Sequence, residues 1–349
     1  MHCSFLAALV LCSSMLFAGS AMAVNYELVS VGDAGNARDT NQYGAVGYQY
    51  QIGKYEVKIG QYTEFLNAVA ASDIYYSLFN GNMASDTNVA GISRTGSSGS
   101  YVYSVAGDSG NRPITYVSWW DAARFCNWMH NGQGSGSTET GAYTLNHATS
   151  GDAVAVNAGA RFYIPTENEW YKAAYFSPAL NAGAGGYYTY ATQSMTDPNN
   201  VVGNFPYQAD YYASDYSVTQ SSTYASNQNY LTDVGAFTNS ASFYGTFDQT
   251  GNVNEWNDLT GTSGALRGKR GGAWNNNAFD ASSSGRGPLG AFGTGGEDSN
   301  VGFRLAAPVA VPEPSTYAMA LAGLACGGWQ MVRRRRAIAM GSCGGTAAV

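Results

Sequence analysis

The chain has 349 residues, of which 12% are charged and 13% are aromatic, and its formal net charge at pH 7 is -7. This acidic balance argues against a nucleic acid as partner, because binding to phosphates requires a surplus of lysine and arginine.

Residues 1–23 are typical of a signal peptide. They contain an apolar run, residues 5–11, and close on Ala21-Met22-Ala23, the small-x-small pattern that signal peptidase accepts. The sequence therefore predicts an exported protein whose mature chain begins near Val24.

The first regular elements follow the signal peptide. Residues 48–52 alternate as a half-buried strand, and residues 59–70 place their apolar side chains on one helical stripe. A second helix is predicted after Ser118, which can form a capping box with Asp121, and a third after Thr166, which can do the same with Glu169.

Stretches of small and polar residues separate these elements and predict loops. Three short helices among loops and strands indicate an α+β fold, and no repeat or linker divides residues 24–307, which are predicted to form one domain.

Few side chains of the exported part suit the usual catalytic centres. Cys126 is its one cysteine, which excludes an intrachain disulfide, and its two histidines, His130 and His147, make a multi-histidine metal centre improbable. No Gly-x-Ser-x-Gly elbow is found for a hydrolase triad. The register of its helix predicts that Cys126 is buried and inert.

The basic segment 267–280 is not a phosphate loop, because its Gly-Lys-Arg lacks the Gly-Lys-Ser/Thr ending. Residues 270–274 are instead predicted to form a core strand in which two glycines permit close packing and Trp274 fills the interior.

The C-terminal end has three unlike parts. Pro312, Glu313 and Pro314 lie in a linker, 308–316; an apolar helix, 317–332, is predicted to cross a membrane; and Arg333, Arg334, Arg335 and Arg336 begin a basic tail, 333–349. This tail resembles the PEP-CTERM sorting signal of Gram-negative bacteria, which the membrane protease exosortase reads. The resemblance implies sorting to the cell surface or the extracellular matrix, with transient membrane anchoring.

Seven sequence landmarks run co-linearly through the exported part. They are GKYEV at 53–57, YxxFLN at 62–67, RPITYVSW at 112–119 with DA at 121–122 and CNW at 126–128, PTE at 165–167 with EW at 169–170, GNV at 251–253 with EW at 255–256, RGGAW at 270–274, and GFRL at 302–305. Together they resemble the sulfatase-modifying factor family, the formylglycine-generating-enzyme domain.

This resemblance implies a loop-rich variant of the C-type-lectin fold with calcium sites. It does not by itself imply catalysis, because the family includes copper-dependent oxidases and non-enzymatic binding modules. The oxidases carry two copper-binding cysteines on the segment that follows their Arg-Gly-Gly-Ser-Trp landmark. The matching landmark here is RGGAW at 270–274, and the segment after it, residues 275–286, has no cysteine. Serine hydroxyls cannot replace thiolates, which are the soft ligands that Cu(I) prefers, so copper is not expected.

Calcium is expected in the loop 247–256, which offers the hard oxygen ligands that Ca²⁺ prefers. By similarity, the ligands are Asn252, Glu255 and the carbonyl of Val253. A second site would use Asn200 and Val201 with an acidic residue such as Asp233. The alternative is that Asn252 and Glu255 only bond the loop to itself.

The sequence thus favours an exported binding or matrix module whose partner is an extracellular polysaccharide or a surface protein. Asn275, Asn277, Asp280 and Arg286 are the predicted binding residues. Aromatic side chains beside amides suit sugars, although the landmark tryptophans are expected to be core residues. Two alternatives stay open: an enzyme of non-thiol chemistry that uses Asp280, Arg286 or Ser282, and a structural protein without a specific ligand.

Overall fold

The computed structural model describes residues 23–151, 154–259, 267–287 and 296–309. The described residues up to Pro308 belong to one compact unit. The predicted signal peptide, except Ala23, and the predicted Pro-Glu-Pro motif, apolar helix and arginine cluster lie outside the described residues. Within the described ranges, no helix is long and apolar enough to cross a membrane.

The described part is rich in loops, with short helices and short strands, which is an α+β arrangement. The helices are α1 (Ile59–Val69), α2 (Asn82–Ser85), α3 (Trp119–His130), α4 (Glu167–Tyr175) and α5 (Leu180–Gly183), with a 3₁₀ turn at Ser109–Asn111. The strands are β1 (Leu28–Val31), β2 (Tyr50–Gly53), β3 (Ile92–Thr95), β4 (Val102–Val105), β5 (Phe176–Ser177), β6 (Gly186–Tyr187), β7 (Asn254–Asp258), β8 (Arg267–Arg270), β9 (Val301–Gly302) and β10 (Ala306–Pro308).

The three long helices begin where the sequence predicts. Ser118 accepts the backbone N–H of Asp121 while the Asp121 carboxylate accepts that of Ser118, and Thr166 and Glu169 form the same reciprocal pair at α4. These capping boxes satisfy N–H groups that the first turn of a helix leaves unpaired.

The strands form four small sheets. β2 is the central strand of an antiparallel sheet with β1 and β10, so the two ends of the domain meet in one sheet. β7 is central in a second sheet, antiparallel to β8 and parallel to β9. β3 pairs with β4, and β5 pairs with β6.

The largest core cluster lies between α1 and α3. Tyr62, Phe65, Phe125 and Trp128 form stacked, tilted and edge-to-face ring contacts there, with centroids 5.3 to 6.1 Å apart. The tryptophans predicted to be core residues are all buried: Trp119, Trp170, Trp256 and Trp274. Cys126 is buried as well, as its helical register predicts.

Two predicted strands have different bounds in the structure. The first begins at Tyr50 rather than at Tyr48, whose side chain is exposed. The strand predicted for residues 270–274 is wrong for residues 271–274, because β8 ends at Arg270. The chain turns at Gly271 and Gly272, which have φ values of 99° and 68°. A side chain at Gly272 would come within 2.8 Å of the Ala281 backbone, so this turn lets residues 275–286 return against β8.

Candidate functional site

Residues 275–287, which contain the predicted binding residues, are held against the domain by a buried carboxylate. Glu167 is the first residue of α4. Its Oε1 accepts hydrogen bonds from Nε of both Arg270 and Arg286, each at 2.7 Å. Nη2 of Arg286 donates to Oε2 at 2.7 Å. Arg270 also donates to the carbonyl oxygens of Ser283 and Gly285, which lie inside the segment. One carboxylate and two guanidinium groups therefore fix the shape of this segment.

A cavity of about 240 Å³ lies beside the segment. Of the four predicted binding residues, Asp280 and Arg286 line it. The other lining residues are Asn254, Lys269, Asn276, Gly287, Asp298 and Asn300. Sequence reasoning missed these six, because β7, β8 and residues 298–300 are far apart in the chain and only the second sheet brings them together.

Amide side chains form the rim of this cavity. Nδ2 of Asn254 donates to Oδ1 of Asn276 at 2.9 Å, and Nδ2 of Asn300 donates to Oδ1 of Asn275 at 3.0 Å. Asn277 instead accepts the backbone N–H of Asp280 and closes a local turn. Asn275 and Asn277 thus have structural hydrogen bonds, and of the four predicted binding residues these two do not line the cavity.

The cavity contains both signs of charge. Lys269 lies with its ammonium 5.7 Å from the centre of the Trp256 ring. Burial lowers the pKa of the Lys269 ammonium, and the nearby Asp298 carboxylate partly offsets this effect. The side chain of Asp280 has no hydrogen bond to another described residue, and the ring of its neighbour Phe279 is 66% exposed. Asp280 is therefore the lining carboxylate best placed to meet a ligand.

The residues present do not fit a copper–thiolate centre. The segment 275–286 has asparagine and serine where a thiol would be needed. Cys126 lies on α3 with its thiol buried, and burial raises its pKa well above the ordinary value. A protonated, buried thiol is a poor metal ligand and a poor nucleophile.

The predicted calcium ligand Glu255 has other partners. Its carboxylate accepts Nε and Nη2 of Arg304 at 2.5 and 2.6 Å, and the indole N–H of Trp170 at 2.8 Å. Because this ion pair satisfies the charge of the carboxylate, the predicted set of Asn252, Val253 and Glu255 does not fit a calcium ion as a unit.

The side-chain oxygen of Asn252 is buried without a hydrogen-bond partner among the described residues. The same holds for Oδ2 of Asp210 and Oγ1 of Thr232. The three residues are neighbours, since Asn252 donates its backbone N–H to the Asp210 carbonyl at 2.7 Å and its Nδ2 to the Thr232 carbonyl at 3.4 Å. The amide oxygen of Asn252 is thus a buried acceptor that a hard cation could satisfy, whereas Thr232 and Ser217 lie close enough to the Asp210 carboxyl to lower its pKa in part.

The residues of the second predicted calcium site each contact different partners. Asn200 donates its Nδ2 to the carbonyls of Asp215 and Tyr211, and the carbonyl of Val201 accepts from Gln208. Asp233 instead lies 4.0 Å from Arg112. Among the described residues, no three His, Cys, Asp or Glu side chains come together in a way that could hold a metal ion. Either calcium site would therefore have at most two acidic side chains and would depend on amide, hydroxyl and backbone oxygens for its other ligands.

Comparison with protein families matches residues 28–309 to the sulfatase-modifying factor enzyme 1-like domain. No curated protein matches the chain. Similar solved structures include Treponema denticola variable protein 1 (20% identity, 82% of this chain and 96% of that one, TM-score 0.49) and CarF (19%, 82% and 99%, TM-score 0.49). A third is PvdO from Pseudomonas aeruginosa (15%, 81% and 92%, TM-score 0.40).

Proposed function

Since the chain belongs to the sulfatase-modifying factor enzyme 1-like family, we propose that it is a binding module of that family, with a variant of the C-type-lectin fold, and not a copper-dependent oxidase. The observation that carries this proposal is the combination of a thiol-free segment 275–286 with a polar cavity beside it. The ligand would meet Asp280, Lys269 and the amide rim, and the exposed ring of Phe279 would extend the contact surface.

This chemistry suits a polyhydroxylated or polar ligand. Amide and charged groups bond hydroxyls in both directions, and an exposed aromatic ring stacks on the C–H face of a sugar. An extracellular polysaccharide or a glycosylated surface protein is the partner that these groups favour.

The alternative of a non-thiol enzyme receives less support from the contacts. The Ser282 hydroxyl donates to the Phe279 carbonyl at 2.7 Å, and Arg286 is engaged by Glu167 at two positions. Of the three residues considered for such chemistry, only Asp280 has an available functional group, and the lining groups that could exchange a proton with it are Lys269 and Asp298.

Calcium and export are part of the proposal. A calcium ion would be held at Asn252 with help from Asp210 and Thr232, and would stiffen the turn that precedes β7. Residues 1–23 would direct export, and the tail beginning at Pro312 would be read by an exosortase-type protease, so that residues 24–307 act at the cell surface or in the matrix.

Two measurements on the full chain test this function. A glycan array and a pull-down of surface proteins are expected to give a specific ligand. Incubation of the copper-loaded chain with a sulfatase-type cysteine peptide is expected to leave the thiol unchanged. Formation of the aldehyde, detected by mass spectrometry, would contradict the proposal.

A further inference from the structure

A second and larger cavity, of about 550 Å³, shares no lining residue with the cavity beside Asp280. Its walls come from the loop 36–41, from residues 176–189 around β5 and β6, and from Ser283 and Ser284. The volume lies in the range of about 300–1,000 Å³ in which proteins bind small ligands.

The walls of this cavity are held in place by internal hydrogen bonds. The Tyr187 hydroxyl donates to the Ala37 carbonyl at 2.7 Å and accepts from Nδ2 of Asn36 at 2.7 Å. Any side chain at Gly44 would come within 2.6 Å of Tyr187, so the ring packs directly on the backbone that follows this loop. Ser283 donates its backbone N–H to the Thr189 carbonyl at 2.8 Å and ties the third wall to the second. A ligand would therefore enter a preformed cavity.

The charged lining groups differ in what they can still bind. Both carboxylate oxygens of Asp39 are occupied, one by the backbone N–H of Tyr43 at 3.1 Å and the other by the Tyr171 hydroxyl. The exposed guanidinium of Arg38 has no hydrogen bond or ion pair with any residue that the structure describes. Arg38 is therefore the charged lining group without a partner among the described residues, whereas the Asp39 carboxylate is held by two neutral donors.

The uncharged groups that remain available are an aromatic ring and hydroxyls. Within the described ranges, the half-buried side chain of Tyr188 has neither a ring contact nor a hydrogen bond, and the hydroxyls of Thr40 and Ser284 have no partner. Sugars present a C–H face to aromatic rings and a hydroxyl edge to hydroxyls and amides. A guanidinium binds a carboxylate or a sulfate through two parallel hydrogen bonds.

We propose that this cavity binds an acidic saccharide, with the Tyr188 ring against the face of one sugar unit and Arg38 on its anionic group. The anionic group can be a uronate carboxylate or a sulfate ester, which share this recognition chemistry. This site is separate from the cavity beside Asp280, and binding here does not depend on binding there.

The test measures equilibrium binding of the full chain to labelled tetrasaccharides: tetragalacturonate, its neutral methyl ester, and a sulfated tetrasaccharide of the same length. At least one acidic probe is expected to bind about tenfold more tightly than the methyl ester, the effect of one hydrogen-bonded charge pair. Arg38→Gln should abolish that difference, and Tyr188→Ala should weaken every probe while Tyr188→Phe binds as the wild type does.

The matched control is Arg161→Gln, which removes an exposed arginine outside the cavity and should change nothing. An effect of Arg38→Gln separates this site from the one proposed above, because Arg38 does not line the cavity beside Asp280. The inference is overturned if no probe binds saturably, if acid and ester bind equally, if Arg38→Gln has no effect, or if a polyglutamate peptide binds as tightly as the acidic saccharides.

Discussion

Arg304 holds both carboxylate oxygens of Glu255 at the buried centre of the domain, at 2.5 and 2.6 Å, and neither side chain is accessible to solvent. Arg304 also donates to the carbonyls of Gly53 and Phe247, so that it joins β2, β7 and the loop before β7.

Loss of this arginine should destabilise the fold strongly. Arg304→Met leaves the Glu255 carboxylate buried and unpaired, which is expected to lower the free energy of unfolding by about 3–5 kcal/mol. The double variant Arg304→Met, Glu255→Leu should recover part of the loss, because no buried charge then remains unpaired. Urea denaturation followed by circular dichroism measures both.

The exposed pair of Lys54 and Glu27, 3.4 Å apart, is the matched control for that experiment. Glu27→Gln is expected to change stability by about 1 kcal/mol or less, as is usual for surface ion pairs. Equal effects of Arg304→Met and Glu27→Gln would show that the buried pair does not hold the centre of the domain together.

Loss of the Glu167 charge should loosen the segment 275–287. Glu167→Gln removes the charge that Arg270 and Arg286 share. Faster amide hydrogen exchange is expected at Ser283 and Gly287, whose N–H groups bond to Thr189 and Lys269, while exchange in α1 stays as in the wild type. Unchanged protection of Ser283 and Gly287 would mean that backbone contacts alone fix the segment.

The buried aspartates should make the free energy of unfolding fall as pH rises. Burial raises the pKa of Asp258 to about 7, although Arg267 and the indole N–H of Trp119 lower it. Because the pKa in the unfolded chain is near 4, the folded state binds the proton more tightly, and stability is lost as pH rises from about 4 to about 7. Asp121, whose pKa burial also raises to about 7, acts in the same direction.

Asp258→Asn should reduce this pH dependence, by up to about 4 kcal/mol between pH 4 and pH 8, because the amide cannot lose a proton. Thermal denaturation across that range measures the effect, with Asp108→Asn, whose side chain is 94% exposed, as the control. A steeper fall in Asp258→Asn than in the wild type would contradict the assignment.

Calcium removal gives a further prediction. Chelation should lower the melting temperature of the full chain, and Ca²⁺ but not Mg²⁺ should restore it, since the larger ion tolerates irregular oxygen ligands. Asn252→Ala should abolish this response, whereas Asn200→Ala reports on the second predicted site. A melting temperature that does not change on chelation would contradict the proposed calcium site.

The sequence predicts the local elements of this fold well, because capping and hydrophobic periodicity are short-range signals. Ser118 with Asp121 and Thr166 with Glu169 mark their helices with two residues each. The strand predicted for residues 270–274 fails because Gly271 and Gly272 could serve either close packing or a turn, and only the return of Ala281 decides between them.

The site could be predicted only in part. Asp280 and Arg286 were identified because they lie in a segment that the family landmarks delimit. Lys269, Asn254 and Asn300 were not, because their meeting depends on the pairing of three strands. The engagement of Glu255 by Arg304 likewise joins two landmarks whose contact no spacing indicates.

Binding at the cavity beside Asp280 is tested most directly by the affinity of the full chain for the ligand that a glycan array or pull-down selects. This affinity is measured for the wild type, Asp280→Ala and Glu64→Ala. Glu64 is an exposed acid on α1 outside the cavity. Asp280→Ala is expected to weaken binding about tenfold or more, the effect of a hydrogen bond to a charged group, and Glu64→Ala is expected to bind as the wild type does. Equal affinities for all three proteins would contradict binding at this cavity.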